Sequence, residues 1–233
     1  MLPQVQNVLT ALWLIVYVKG VVFVMGVMTA NKLVDIKIGR KMIHILASSF
    51  IVFWPLLRPE HWTWKLHVTV YVIYALTMIT KGAIIKDRND PEVIAICRTG
   101  DPTELLYGPL HFSAVCCYYG IRSFNTEEGI LIFSCLSFGD GLAPILGMSY
   151  PYGRYPTFPF NTTDRKTLSG SLAFFFGSIL GYCILRTIIL GGVEDLSKII
   201  PVAAAAAIAE GAAGDFDNLA VCITCQIAAQ YVL

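Results

Sequence analysis

Asp140 lies in Phe138-Gly139-Asp140-Gly141, inside an otherwise apolar stretch, and Gly147 follows closely. A carboxylate flanked by glycines suits a divalent cation bound to a polyphosphate. The carboxylate ligates the metal, and glycine lets backbone N–H groups approach phosphate oxygens. The same residues also read as a helix break whose charge reaches for a membrane interface, although an acidic residue within an apolar span is costly and marks a functional position by default. Further along stands the segment Lys166-Thr167-Leu168-Ser169-Gly170-Ser171. Lys166 can pair with phosphate oxygens, and Thr167 and Ser171 can donate to them or touch the metal. Gly170 sits where a helix N-terminus offers its amides to an anion. The glycines that precede the lysine of a Walker A loop are missing. Ser169 or Ser171 also suits the cap of that helix, a reading compatible with the first.

Three other groups carry comparable chemistry. Arg40-Lys41-Met42-Ile43-His44 puts two cations at a helix start, against the sense of its dipole. An anionic partner answers that mismatch, and ordinary membrane-flanking charge is the alternative. His44 lies one turn on from Arg40 and Lys41, where it can orient a phosphate or act as a general base. Glu104 precedes Leu105-Leu106-Tyr107-Gly108-Pro109 and can hold a metal or a nucleotide hydroxyl, or match the dipole of a first turn. Glu210, Asp215, Asp217 and Asn218 crowd a turn between two apolar runs, with a spacing that lets Asp217 and Asn218 stand beside Asp140. His61, His67 and His111 read as interfacial or packing residues. The seven cysteines lie mostly in or beside apolar runs, which is no disulfide framework, and Cys222-Ile223-Thr224-Cys225 reads as helix packing rather than redox or zinc chemistry.

The elements that must position these residues are membrane-like. Of 233 residues, 56% are hydrophobic and 14% charged, against roughly 25% charged in soluble domains. The net charge of +1 gives no basic field for nucleic acid. The fold expected is all-α: a polytopic integral membrane helical bundle of about 7–8 transmembrane helices in a single domain, 1–233. Eight candidate spans run over 8–28, 42–57, 66–84, 105–121, 129–147, 170–190, 199–213 and 219–233. The first is too long for a signal peptide, and no basic region precedes it. Lys and Arg collect in the loops after the first, third and fifth spans, which puts those loops in the cytoplasm or its equivalent and both termini outside. Asp140, Lys166, Arg40, His44, Glu104, Glu210, Asp217 and Asn218 all then fall on that one face, where soluble nucleotides are. Residues 203–207, all alanine, read as close helix packing. The sequon Asn161-Thr162-Thr163 falls on the cytoplasmic side and is expected to stay unmodified, and the aromatic stretch with Tyr150, Tyr152, Tyr155, Phe158 and Phe160 suits a lid, a base-stacking platform or a partner surface.

Together, Gly-Asp-Gly-x-Ala-x-x-x-Gly at 139–147, Lys-Thr-x-x-Gly-Ser at 166–171 and the late Glu210 with Asp217-Asn218 resemble the CTP-dependent lipid-alcohol kinases. That family includes dolichol kinase, phytol and farnesol kinases and the CTP-dependent diacylglycerol kinase. The Arg40 and Glu104 motifs look closest to the phytol/farnesol branch, and the resemblance covers about 39–219. The phytol branch tends to show Asp-Asp-Asn, an apolar pair and proline, where this chain has Phe216-Asp217-Asn218 and no proline after it. The resemblance implies transfer of the terminal phosphate of a nucleoside triphosphate, CTP, with Mg2+, to a membrane isoprenoid alcohol such as phytol, farnesol, geranylgeraniol or dolichol. It implies catalytic roles for Asp140, Lys166 and His44, with Asp140 or His44 taking the hydroxyl proton. Gly139, Gly141, Gly147, Thr167, Gly170, Ser171, Arg40 and Lys41 would bind nucleotide and phosphate, and Asp140, Asp217, Glu104, Glu210 and Asn218 would hold metal. Two rival readings are a catalytically inactive homologue serving as a structural subunit of a membrane complex, and a cytidylyltransferase of the CDP-diacylglycerol synthase type. The membrane implied is that of the endoplasmic reticulum, a plastid or a mitochondrion, with membrane lipids and a homo-oligomer or membrane complex as partners.

Overall fold

A computed structural model of the chain describes residues 1–156, 165–193 and 195–233. The sequon at 161–163, and Phe158 and Phe160 of the aromatic stretch, lie outside the described residues. The chain divides into two compact units, Met1–Phe124 and Asn125–Leu233.

In the first unit, α1 (Pro3–Ala30) opens with proline at its first position, where no amide partner is lost, and buries Leu14, Val18, Val22 and Met25. Asn7 on this helix is buried and satisfied. Its Nδ2 donates to the Arg58 carbonyl at 2.9 Å and to Thr63 Oγ1 at 3.0 Å, and its Oδ1 accepts from the Arg58 amide at 2.7 Å. That side chain ties α1 to the 3-10 segment Trp62–Val68, which leads into α3 (Thr69–Ile79) and a π turn at Thr80–Ile85. Between them, α2 (Ile36–Ser48) is capped by Asp35, which accepts from the Lys37 amide, and runs on into a 3-10 segment, Ser49–Leu56. After a short α4 (Pro91–Ile96) and a 3-10 turn at Pro102–Leu106 comes α5 (Gly108–Arg122).

The second unit is built on two long helices. Thr126 caps α6 (Glu127–Ser134), which passes through a π turn at Cys135–Gly139 into α7 (Asp140–Ser149). Pro144 lies inside α7 and has no amide to give the carbonyl of Asp140, so the helix is loosened on both sides of that residue. Against this composite helix lies α8 (Leu168–Leu190), ended by Gly191 in the left-handed region at φ 87°. Their approach is set by small residues: a Cβ on Gly177 would stand 2.9 Å from the Phe138 carbonyl oxygen, and one on Gly147 2.8 Å from Thr167 Oγ1. A three-residue strand, β1 (Arg154–Pro156), pairs antiparallel with β2 (Arg165–Thr167), setting Tyr155 opposite Lys166. This small ladder is an addition to the all-helical expectation. The chain finishes with α9 (Ile199–Ala212) and α10 (Asp217–Val232). Cys222 and Cys225 are buried in α10 as free thiols.

Four helical stretches among the described residues are long and apolar enough to cross a bilayer: Pro3–Ala30, Trp62–Ile85, Glu127–Ser149 and Leu168–Leu190. They correspond to the first, third, fifth and sixth expected spans. The expected spans at 105–121, 199–213 and 219–233 are helices of 15, 14 and 16 residues. At 1.5 Å per residue these reach roughly 21 to 24 Å, short of a hydrocarbon core of about 30 Å.

Helix contact through glycine makes a direct prediction. Gly177→Ala forces a Cβ onto the backbone of the composite helix and should cost about 1–3 kcal/mol of stability. Gly20→Ala in α1, where nothing lies within 4 Å, should be neutral or gain up to about 1 kcal/mol. Thermal unfolding of both variants in one detergent checks the contrast.

Candidate functional site

In the second unit, one ligand atom each from Asp140, Glu210 and Asp217 comes within 4.8 Å of the other two. Three backbone breaks bring them together: the loosened helix at Asp140, the C-terminal end of α9 at Glu210, and the first residue of α10 at Asp217. Asp140 is 1% exposed and Glu210 5%. Ionised carboxylates so enclosed repel one another and lose water, a cost met only by a nearby cation. One is present: Lys166 Nζ lies 2.5 Å from Glu210 Oε1. Burial alone would lower the pKa of this lysine, but the negative charge of Glu210, Asp217 and Asp140 outweighs it and raises the pKa above the ordinary lysine value. Lys166 is therefore an ammonium at neutral pH.

The donor set fits a hard divalent ion. All three ligands are carboxylates, the type preferred by magnesium, with none of the thiolate or imidazole that selects zinc. On an octahedral magnesium ion with bonds of about 2.1 Å, neighbouring ligand atoms stand about 3.0 Å apart and opposite ones about 4.2 Å, so carboxylate oxygens all within 4.8 Å of one another reach a single ion by side-chain adjustment. A second observation agrees. Asn218 is 7% exposed, and its buried Oδ1 has no hydrogen-bond partner among the described residues, although its own amide donates to Asp217 Oδ1 at 2.8 Å. A buried amide oxygen left without a donor, on the residue that follows Asp217 in α10, has the chemistry of a cation ligand.

Around Lys166 the motif residues act first on their own helix. Thr167 Oγ1 accepts from the Gly170 amide at 3.1 Å and caps α8. The cap is thus Thr167, and neither Ser169 nor Ser171: Ser169 Oγ donates to the Tyr150 carbonyl at 2.5 Å, and Ser171 Oγ bonds the Tyr155 hydroxyl and lies 3.3 Å from the Thr167 carbonyl. Gly139, Gly147 and Gly170 lie at the close approach of α7 and its π turn to α8, with the Thr167 and Ser178 side chains against them. Gly141 is buried within α7. Each of these positions has a packing reason to be small or capping. The side chain of Asp215 lies outside the described residues.

The remaining predicted residues belong to the first unit. Arg40, Lys41 and His44 are half-buried on α2, and the His44 ring packs on Phe112 at 4.7 Å. Burial lowers the Arg40 pKa, as does the charge of Arg98, against the opposing pull of Glu104. The oxygens of Glu104 accept from the Arg98 amide, the Thr99 amide at 2.9 Å and the Thr99 hydroxyl at 2.5 Å, which ties the loop before the 3-10 turn. Burial would raise its pKa, but those bonds hold it below the ordinary glutamate value.

Two residues escaped the sequence reading. Ser137 is fully buried in the π turn, one turn before Asp140, and its hydroxyl has no partner among the described residues. A serine three residues before an acidic residue in an apolar helix was the available signal. Tyr155 was counted among the loop aromatics, whereas its hydroxyl reaches Ser171. The strand pairing that puts it there is not visible in a three-residue segment.

No family model matches the chain, and no solved structure matches it. Curated plant proteins do. A probable chloroplastic phytol kinase of Zea mays is 30% identical over 200 residues, covering 78% of this chain and 61% of the maize protein. A probable chloroplastic phytol kinase 2 of Oryza sativa subsp. japonica is 30% identical over 148 residues, 63% of this chain and 48% of the rice protein. A probable chloroplastic phytol kinase 3 of Glycine max is 31% identical over 144 residues, 60% of this chain and 43% of the soybean protein. The chain thus spans between 43% and 61% of the length of these three relatives. Similarity of this extent to several such proteins supports a phytol/polyprenol kinase-like family for the chain.

Proposed function

We propose that this chain is a lipid-alcohol kinase that moves the terminal phosphate of a nucleoside triphosphate, CTP by resemblance, onto an isoprenoid alcohol such as phytol. The observation that carries this reading is the group of buried Asp140 and Glu210 with half-buried Asp217, with Lys166 held against it. Phosphoryl transfer asks a protein mainly for positioning and for charge stabilisation around the phosphate oxygens. The four apolar helices and the chloroplastic names of the plant relatives support a plastid membrane as the setting.

Asp140, Glu210, Asp217 and the Asn218 carbonyl would hold a magnesium ion, which when bound supplies positive charge against the β- and γ-phosphates. Lys166 neutralises charge developing on the transferred phosphoryl group. The alcohol oxygen forms a new bond to the γ-phosphorus as the bond from that phosphorus to the β–γ bridging oxygen breaks. The nucleoside diphosphate leaves, and the hydroxyl proton passes to Asp140. Enclosure of the carboxylates keeps competing water from the phosphorus.

Asp140→Asn should reduce transfer by at least about 10²- to 10³-fold with an unchanged helical circular-dichroism spectrum. Near-normal turnover by this variant would remove the site.

Magnesium should raise the unfolding temperature of the purified protein, and Asp217→Asn should abolish the rise. Saturation at a hundredfold excess over Kd would be worth about 2.7 kcal/mol. The nucleotide product should be a diphosphate. Release of pyrophosphate would instead mark a cytidylyltransferase.

A further inference from the structure

The Lys166 ammonium is held by Glu210, itself a member of the carboxylate group. When its three carboxylates are ionised, the group carries three negative charges against one ammonium and is two charges negative, the deficit that one divalent ion removes. Glu210 is buried, whereas the Lys166 side chain is 28% exposed and comes from the last residues of a short strand. Tyr155 faces it across the ladder, and Thr167 next to it is fixed as the helix cap. The backbone of Lys166 is therefore anchored on both sides while its long side chain retains an outlet to solvent. A carboxylate oxygen bonded to an ammonium and the same oxygen bonded to a metal are competing states.

We infer that Lys166 is an exchangeable internal cation, which occupies Glu210 until a divalent ion displaces it and frees its ammonium for the phosphate of the nucleotide. This rests on the kinase reading of the site and adds an order to it: metal arrival at Glu210 and presentation of Lys166 are one event. The exchange places the lysine on the phosphate only when the metal is present, so metal and nucleotide each favour the other's binding.

The test needs neither alcohol nor turnover. Free Mn2+ is titrated by electron paramagnetic resonance against purified wild-type protein, Lys166→Met, Glu210→Gln, the double variant of these two and Asp140→Asn, each first checked for an intact unfolding transition. Lys166→Met should bind Mn2+ about tenfold more tightly than wild type, and the same change made in the Glu210→Gln background should shift affinity by less than about threefold. In the presence of a non-hydrolysable CTP analogue, wild-type affinity for Mn2+ should rise and that of Lys166→Met should rise less. An equal effect of Lys166→Met in both backgrounds, or none in either, overturns the exchange while leaving a metal site in place. Absence of Mn2+ binding by wild type, or binding undiminished in Asp140→Asn, overturns the metal reading itself and the exchange with it. If Lys166→Met does not give an intact transition, Lys166→Gln takes its place with the same expected shifts.

Discussion

Three carboxylates with ligand atoms within 4.8 Å of one another, two of them buried, repel one another and call for a cation among them. The group of Asp140, Glu210 and Asp217 draws one member from each of three helix breaks. Lys166 supplies one positive charge from the strand before α8. In an apolar unit this arrangement stabilises nothing by itself, since a well-packed hydrophobic cluster would be cheaper. The proposed function supplies a reason for it, since the donors match the chemistry of a divalent ion.

The helices serve that group through two local departures from regularity. The π turn at Cys135–Gly139 and Pro144 interrupt hydrogen bonding on either side of Asp140, so a carboxylate can stand in the middle of an otherwise apolar helix where backbone is already open. Glycines at 139, 147, 170, 177 and 181 then let α8 come against this helix. Close approach brings the N-terminal end of α8, and with it Lys166, alongside the carboxylates. The glycines that invite a phosphate-loop interpretation thus have a packing purpose that holds whether or not an anion is bound. Their contribution to the site is to set how near the two helices stand.

Much of this could be read from residue types alone, and the reasons for the rest are physical. Asp140 was conspicuous because a charge in an apolar run has few explanations. Glu210 and Asp217 were conspicuous because they crowd a short turn. Their mutual distance was not legible, since it depends on where α9 ends. Nor was the Lys166 to Glu210 contact, which joins residues 44 apart in sequence. Thr167 as cap was hidden by two neighbouring serines of equal capping propensity, and only the observed start of α8 at Leu168 distinguishes them. Span counting from hydropathy was clear for the four long helices and failed to resolve the others, because 14 to 16 apolar residues describe a buried helix as well as a membrane segment. Glu104 was chosen for its charge and proves to be tied to the amides of its own loop.

The central claim is that this carboxylate and lysine group handles a transferable phosphate. Purified protein in lipid nanodiscs, given CTP labelled on its γ-phosphorus together with phytol, measures that most directly. The account predicts label in phytyl monophosphate, lost on chelation of divalent ions and restored by added magnesium. Label that stays on nucleotide or appears only as free phosphate, with phytol and with the longer and shorter prenols alike, would contradict it.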